Sequence, residues 1–281
     1  MKSNLYRALS AFFFLMFFAA SLYSQESITL RYKFDDGKPL RFKTVMDGAF
    51  TQSAMGREMN ITTSGNMFTH LSDEGKNEKN LASLIMVIDS GKISTKMPMK
   101  ETNTDLSTFA GKRVRLLIDP SGKVTKREIL DSVSTENDTF TSSYRQAFHF
   151  PILPEKGLKM NENWNSIESD TVEVMGGKVA NTLNVVYTLA GREKVSGTNC
   201  LKITFSGDIK NQGNTSMMGM DLTISGTGKT SGTFYFDQVK GKMISNESLT
   251  EMDMTVETSG DNAMSIPIKQ TIKSTVNAIN D

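Results

Sequence analysis

Apolar and polar residues alternate along most of this chain, which is the period-two pattern of half-buried β-strands. The alternation is cleanest at residues 251–257, where Met252, Met254 and Val256 are separated by acidic or hydroxyl residues. It also occurs at residues 27–34, which precede Asp-Asp-Gly, and again at residues 40–46. Asp-Gly between two alternating runs is typical of a hairpin turn, so the first two strands are predicted to form a β-hairpin.

The same reading predicts strands along the rest of the chain. They lie at 50–70, 81–88, 93–99, 113–118 and from 124 onward, then near 166–174, 178–189, 200–210, 217–225, 231–237, 243–257 and 266–276. Residues 81–88 are apolar on both faces, which indicates a strand that is covered on both sides. Residues 106–110 are predicted to form one helical turn, because Gly111 stands where a helix usually ends.

One longer helix is predicted from Ser134 to Phe150. It opens with residues that suit a helix cap and stops before Pro151. The predicted fold is mainly β: a curved antiparallel sheet or half-open barrel with this helix, near 134–150, packed on the concave face. Residues 25–281 are predicted to form a single β-rich domain of two related halves, about 26–130 and 158–281. The alternative is two small packed domains.

An internal repeat supports the two halves. Residues 55–65 read MGREMNITTSG and residues 218–228 read MGMDLTISGTG. The two segments share Met-Gly, an acidic residue, an apolar residue, Ile, a hydroxyl residue and Gly in the same order. We predict that they form matching strands.

The N-terminus has the features of a secretory signal. Lys2 and Arg7 precede or flank an apolar run at residues 8–22, which is followed by polar residues. We predict a signal peptide at residues 1–24 and an exported protein, periplasmic or associated with the cell envelope, with secretion as a further possibility. No later segment is apolar enough to be a transmembrane segment of the mature chain. Cys200 is the one cysteine, so an internal disulfide is not expected, and it is predicted to be a small buried residue.

No familiar catalytic pattern is present. The formal net charge is +1, which does not indicate a nucleic-acid partner. His70 and His149 stand apart from each other and from any nucleophile motif. Residues 226–231 resemble the end of a phosphate-binding loop, but its first glycine would fall at Thr223, so a connection between strands is favoured. We therefore predict no enzyme, no catalytic residue and no cofactor.

The 18 methionines are the most unusual feature of the composition. Several stand two residues apart, and therefore on one face of a strand. Thioethers can bind Cu(I), but no His or Cys lies near these pairs in sequence, so we predict that they line a core or pocket and that there is no metal site. The predicted ligand-pocket residues are Met59, Ile61, Met97, Met99, Met220, Leu222, Met252 and Met254.

Four segments in order resemble one known family. They are Tyr32–Phe34 with Gly37, Met-Gly-x-x-Met at 55–59, Ala-Gly-Lys at 110–112 leading to Ile-Asp-Pro-x-Gly-Lys-Val at 118–124, and Phe-Pro-x-Leu-Pro at 150–154 running to Trp164. They resemble a family of exported bacterial envelope proteins of unknown function, rich in Met and Thr. Residues 161–163 depart from it, because Asn-Glu-Asn replaces Val-Gly-Asp before Trp164.

The family is loosely similar to the periplasmic half-barrels that carry lipids or lipoprotein acyl chains. This resemblance implies a non-catalytic binding module for a lipid or other apolar ligand. The alternative is a structural or interaction protein of the envelope, with a filled core and an envelope protein partner bound on a sheet edge.

Overall fold

The computed structural model describes residues 27–34, 37–54, 56–131, 150–174, 177–217, 220–259 and 263–279. Within these ranges the chain forms twelve strands and one 3-10 helix at Leu106–Phe109. The strands are β1 (Leu40–Ala54), β2 (Arg57–Lys76), β3 (Ala82–Met97), β4 (Lys100–Asp105), β5 (Arg113–Ile118), β6 (Val124–Ile129), β7 (Asn163–Val174), β8 (Gly177–Val195), β9 (Thr198–Met217), β10 (Met220–Asp237), β11 (Lys242–Thr258) and β12 (Ser265–Ile279).

All of these strands belong to one antiparallel sheet, in the order β6-β5-β3-β2-β1-β12-β11-β10-β9-β8-β7, with β4 paired to β3. The chain starts near the middle at β1 and moves outward to β6. It then crosses to the opposite edge at β7 and returns strand by strand to β12, which pairs with β1. The prediction of a mainly β, antiparallel sheet is confirmed.

One face of the sheet, here called the inner face, carries the hydrophobic core. Phe42 on β1, Ile203 on β9 and Phe234 on β10 are at most 2% exposed. Val114 on β5 and Tyr187 on β8 lie near opposite ends of the strand order, yet both belong to the same cluster of buried residues. The sheet therefore curls until its two ends share one core, which gives the unclosed, barrel-like form.

Inner-face glycines make room for this curvature. A Cβ atom on Gly213 would lie 2.2 Å from the carbonyl oxygen of Lys178, and one on Gly232 would lie 2.1 Å from that of Glu247. Both neighbours are backbone atoms of the adjacent strand, so they cannot move aside as a flexible side chain could. At these two positions, only glycine fits on the inner face.

The predicted hairpin at residues 27–34 is wrong. Ile28 makes an isolated bridge with Leu158, and the Tyr32 N–H donates to the Pro120 carbonyl at 2.9 Å, so this segment lies extended against loops and not beside β1. Its alternation has another cause, which is that one side of the segment closes the core. The buried residues on that side are Ile28, Leu30, Tyr32 and Phe34.

Other element predictions differ in detail. Residues 217–225 and 231–237 are not separate strands, because the glycines between them stay within β10; likewise 81–88 and 93–99 are both part of β3. The turn predicted at 106–110 is confirmed by the 3-10 helix. The predicted helix at 134–150 lies outside the described residues, apart from Phe150, and the described part of the chain contains no α-helix and no helix able to cross a membrane.

The two copies of the repeat occupy comparable places. Each covers the start of a strand, β2 in one case and β10 in the other, and each of these strands is the fourth from an edge of the sheet. Both strands follow a hairpin at the same end of the sheet, because β2 and β10 run in the same direction. Whether the chain is one domain of two halves stays a prediction.

Candidate functional site

The two edge strands of the sheet, β6 and β7, face each other across a gap that we call the seam. Arg127 Nη1 on β6 lies 3.9 Å from Asp170 Oδ2 on β7, so the side chains of the two edges meet there. A cavity of about 1430 Å³ opens along the seam and reaches the inner face of β8 and β9.

Apolar side chains form the inner wall of this cavity. Trp164 on β7 stacks on Tyr187 with ring centroids 5.1 Å apart, and its Nε1–H donates to the Ile152 carbonyl at 2.7 Å. Leu183 on β8 pairs in register with Ile209 on β9, and both are half-buried. The remaining apolar lining residues are Val124, Phe150, Ile152, Leu153, Pro154, Leu158 and Ile167.

The part of the seam nearest the hydrophobic core is filled by the chain segment that leads into β7. The Leu153 N–H donates to the Ser121 carbonyl at 2.8 Å, which ties this segment to the turn between β5 and β6. The Arg31 guanidinium donates to the carbonyls of Pro154 and Glu155 on the same segment. Phe150 contacts Tyr32 edge-on at 5.0 Å between centroids. The seam is therefore closed beside the hydrophobic core and open at the end that is farther from the core.

Opposite charges line the two sides of the opening. Lys123, Lys126 and Arg127 are on the β6 side, and Glu168 and Asp170 are on the β7 side. The mouth of the cavity is thus charged, and its wall combines apolar side chains with the polar side chains of Ser166, Asn181 and Asn211. Polar groups of this kind can orient a ligand in a largely apolar site.

Two tyrosines behind the wall have raised pKa values. Burial is the main cause for both Tyr32 and Tyr187, and the negative charge of Glu168 contributes to each. The Tyr32 hydroxyl donates to the Pro151 carbonyl at 3.1 Å. Both phenols therefore stay protonated at any ordinary pH and act as packing groups and hydrogen-bond donors.

The structure distributes the predicted pocket residues in three ways. Six lie on the inner face of their strands and are buried or half-buried: Met59, Ile61, Met97, Leu222, Met252 and Met254. Met99 is 99% exposed in the turn between β3 and β4, and the side chain of Met220 lies outside the described residues. None of the described residues in this set lines the seam cavity, so the methionines and the cavity are neighbouring parts of one face.

Strand register connects these two parts. In one row across the inner face, Ile61 pairs with Phe50, Phe50 with Gln270, and Gln270 with Met252. The row continues through Gly228 to Ile209 and Leu183. A band of mostly apolar side chains therefore runs from β2 to the wall of the cavity. It lies on the part of the inner face that is beyond the packed core. We call it the inner band.

Sequence reasoning did not identify the cavity residues. The alternation assigns Leu183 and Ile209 to one face of their strands. That they line the same cavity as Trp164 depends, in contrast, on the order of the strands in the sheet. Arg127 and Asp170 are 43 positions apart and give no local signal. The seam exists only because the chain crosses from one edge of the sheet to the other.

Other singled-out residues have structural surroundings. His70 Nδ1 donates a hydrogen bond to the Asp89 carboxylate at 2.7 Å, on the outer face of β2 and β3 and away from the seam. Cys200 is 2% exposed, as predicted, and burial raises its pKa. Residues 226–231 lie inside β10, so the favoured interpretation as a connection between strands is wrong. The phosphate loop that these residues resemble is absent as well, because a strand offers no loop or helix N-terminus to hold a phosphate. His149 lies outside the described residues.

Among the described residues, no group of three or more His, Cys, Asp or Glu side chains is arranged to hold a metal ion. Methionine sulfurs are not part of that observation. The predicted absence of a metal site stays a prediction.

Comparison with solved structures gives only distant likenesses. Pseudomonas aeruginosa OccK2 (OpdF) is 7% identical, with 89% of this chain and 100% of that chain covered and a TM-score of 0.30. Pseudomonas aeruginosa OccK9 (OpdG) is 8% identical over 88% and 100%, with a TM-score of 0.24. A DUF1329 family protein from Desulfovibrio piger is 11% identical over 87% of each chain, with a TM-score of 0.16. Likeness at this level carries no functional argument.

No curated protein matches this sequence. A family model does match part of it, in the region that holds β6 to β10 and the β7 side of the seam. Residues 125–244 are similar to DUF6263, described as a family of unknown function, and the predicted resemblance to an uncharacterised family is thereby confirmed.

Proposed function

We propose that this protein is an exported, non-catalytic binding module of the bacterial cell envelope that holds a lipid or similar apolar molecule on its inner face. The observation that carries the proposal is the inner band, in which half-buried apolar side chains stand in register from β2 to β8 and end at the seam cavity. The band covers six inter-strand steps, which is about 29 Å at about 4.8 Å per step.

The contrast between the two faces supports this function. Met252 and Met254 on the inner face are apolar and half-buried, whereas their outer-face neighbours Glu251 and Asp253 are charged and exposed. A sheet that faced water on both sides would have no reason to keep this alternation beyond its packed core. The inner band is therefore suited to contact something apolar.

The shape of the seam explains how such a ligand would be oriented. An alkyl chain on Leu183, Ile209 and Met252 would gain about 0.8 kcal/mol for each methylene removed from water. Its polar end would lie at the mouth, between Arg127 and Asp170. Export rests on the predicted signal peptide, and the lack of catalysis rests on the lack of a recognised motif in the sequence.

Binding of N-phenyl-1-naphthylamine, a fluorescent apolar probe, tests the proposal on the purified mature protein. Leu183→Asp should weaken probe binding at least tenfold, because a charge would replace an apolar wall of the cavity. Met252→Gln should also weaken it, since the inner band would lose an apolar contact without a large change in volume. Trp164 is the one tryptophan of the chain, so its emission should change when the probe is bound.

Val239→Asp is the matched control. Val239 is 83% exposed in the turn between β10 and β11, and the charge there should leave probe binding unchanged. Urea midpoints for all variants show whether each protein is folded. If folded Leu183→Asp and Met252→Gln bind the probe like the unmodified protein, or if organic extraction of protein from its native host yields no apolar molecule, the proposed function is wrong.

A further inference from the structure

The seam has a second property that does not depend on an apolar ligand. Among the described residues, no strand pairs with the free side of β6 or the free side of β7. The two edges thus offer facing rows of backbone N–H and C=O groups. Such rows are the groups that an added strand uses to bind a sheet.

The direction of the strands shows what could fit between these edges. Every neighbouring pair from β6 to β7 is antiparallel, and ten such steps separate the two edge strands. β6 and β7 therefore run in the same direction. An all-antiparallel barrel closes only with an even number of strands, and this path has eleven. One additional strand in the opposite direction would pair antiparallel with both edges.

Side chains beside the edges give the character of that strand. Ile167 on β7 points to the outer face and is 73% exposed, and Val186 on the adjacent β8 is 43% exposed. An apolar side chain on the outer face of an added strand would cover Ile167, because β7 is the strand with which it pairs. On the inner face, Arg127 and Asp170 approach from opposite sides, so an inward residue there needs an amide or hydroxyl that can bond to both.

We propose that the seam is a docking site for one extended peptide strand of another protein, which binds antiparallel to both β6 and β7. The open part of the seam is about as long as β6, which has 6 residues, because the segment at Leu153 fills the rest of the seam. The fitting peptide alternates, with aliphatic residues outward and Gln, Asn, Ser or Thr inward.

The sequence of the chain's own connection argues for a strand from another molecule. Residues 132–149 read SVSTENDTFTSSYRQAFH, with apolar residues at 133, 140, 144, 147 and 148. These positions do not follow period two, so the connection lacks the pattern that a strand with distinct inner and outer faces requires.

Selection from a displayed library of random twelve-residue peptides tests this site on the purified mature protein. Enriched peptides should share the alternating pattern, and the best of them should slow amide exchange in β6 and β7 without affecting β12 in the middle of the sheet. N-methylation of one interior amide of the selected peptide should weaken binding about fivefold to tenfold, because one backbone hydrogen bond is lost. N-methylation of its first residue should have little effect.

Variants of exposed side chains locate the site. Ile167→Asp and Asp170→Lys should each weaken peptide binding, whereas Val239→Asp should not. The proposal is overturned if no peptide is enriched, if N-methylation has no effect, if protection appears away from β6 and β7, or if two copies of the chain associate through these edges. Probe binding by Met252→Gln is a separate measurement, so failure here leaves the apolar-ligand proposal to its own test.

Discussion

Single residues set the curvature on which the site depends. Gly213 on β9 is the clearest example, because its inner-face position is occupied by backbone of β8: an added Cβ would lie 2.2 Å from Lys178 O and 2.6 Å from Val179 Cα. Neither atom can move without breaking the pairing of β8 with β9. Curvature is therefore encoded at positions where a side chain is missing.

We expect Gly213→Ala to destabilise the protein by about 1–3 kcal/mol, since the methyl group overpacks against backbone. Gly191→Ala is the control, because nothing lies within 4 Å of a Cβ at Gly191 and its φ is not in the left-handed region. Urea denaturation of both variants measures the difference. Equal midpoints for the two variants would show that the sheet relaxes around residue 213.

At the scale of elements, β5 and β6 form the short edge that borders the seam. Arg113 holds the end of this hairpin, since its Nε and Nη2 donate to the Asp131 carboxylate at 3.1 and 2.9 Å and its backbone N–H donates at 2.7 Å. These bonds lower the pKa of Asp131 from 3.8 to about 2. Because the folded-state pKa is lowered, the contribution is present above the ordinary value and is lost as pH falls towards 2.

Arg113→Gln should raise the pKa of Asp131 towards its ordinary value of 3.8, though not fully, because the backbone N–H still donates. A pH titration of the carboxyl carbon signals by NMR measures this shift. Arg57→Gln, at the start of β2, is the control and should leave the signal of Asp131 unchanged. An unchanged titration in Arg113→Gln would mean that the guanidinium does not hold the carboxylate in solution.

Local patterns predicted most of these elements. β5 and β6 follow from alternation, and Asp-Pro-Ser-Gly at 119–122 is typical of the turn between them. Of the later strands, β7, β11 and β12 were predicted within three residues at each end, whereas β8 and β9 continue six and seven residues beyond their predicted ends. The hairpin predicted for residues 27–34 was wrong, because alternation indicates that one side of a segment is buried but does not indicate which strand the segment pairs with. Gly226 and Gly228 suggested a break within β10, since glycine also serves curved strands and sequence does not distinguish the two uses.

The candidate site was less predictable than the strands. The period-two pattern correctly assigned Met252, Met254 and Ile61 to one face of the sheet. The face on which a strand residue lies depends only on its position along the strand. The seam depends on which strands become edges, and that is set by pairings between residues far apart. Met99 shows what a local pattern does not predict. It follows Met97 by two residues and would share its face in a continuous strand, but it lies in a turn and is 99% exposed.

At the scale of the whole molecule, the sheet has two unlike ends. Near the turn between β10 and β11, the inner face is covered by the core and by residues 27–34, and Phe234 and Phe236 are 0% exposed. At residues 224–230 of β10, by contrast, the inner-face residues are only half-buried. β10 pairs in register with β9 from Met220 to Phe236, and with β11 from Leu222 to a register shift between Tyr235 and Phe236. Up to that shift the strand pairing is the same, and only the packing of the inner face differs.

This difference predicts the pattern of local opening. Amides of β10 at residues 224–230 should exchange with deuterated water at least tenfold faster than those at residues 233–236, after correction for intrinsic rates, because fewer buried apolar contacts resist opening there. Comparison within one strand is its own control, since both segments have the same neighbours. Saturation with the naphthylamine probe should slow exchange at 224–230 and leave 233–236 unchanged, because the ligand would supply the packing that the inner band lacks. Equal exchange along β10 without the probe would show that this face is already filled, and the molecule would then be a closed core with no place for an apolar ligand.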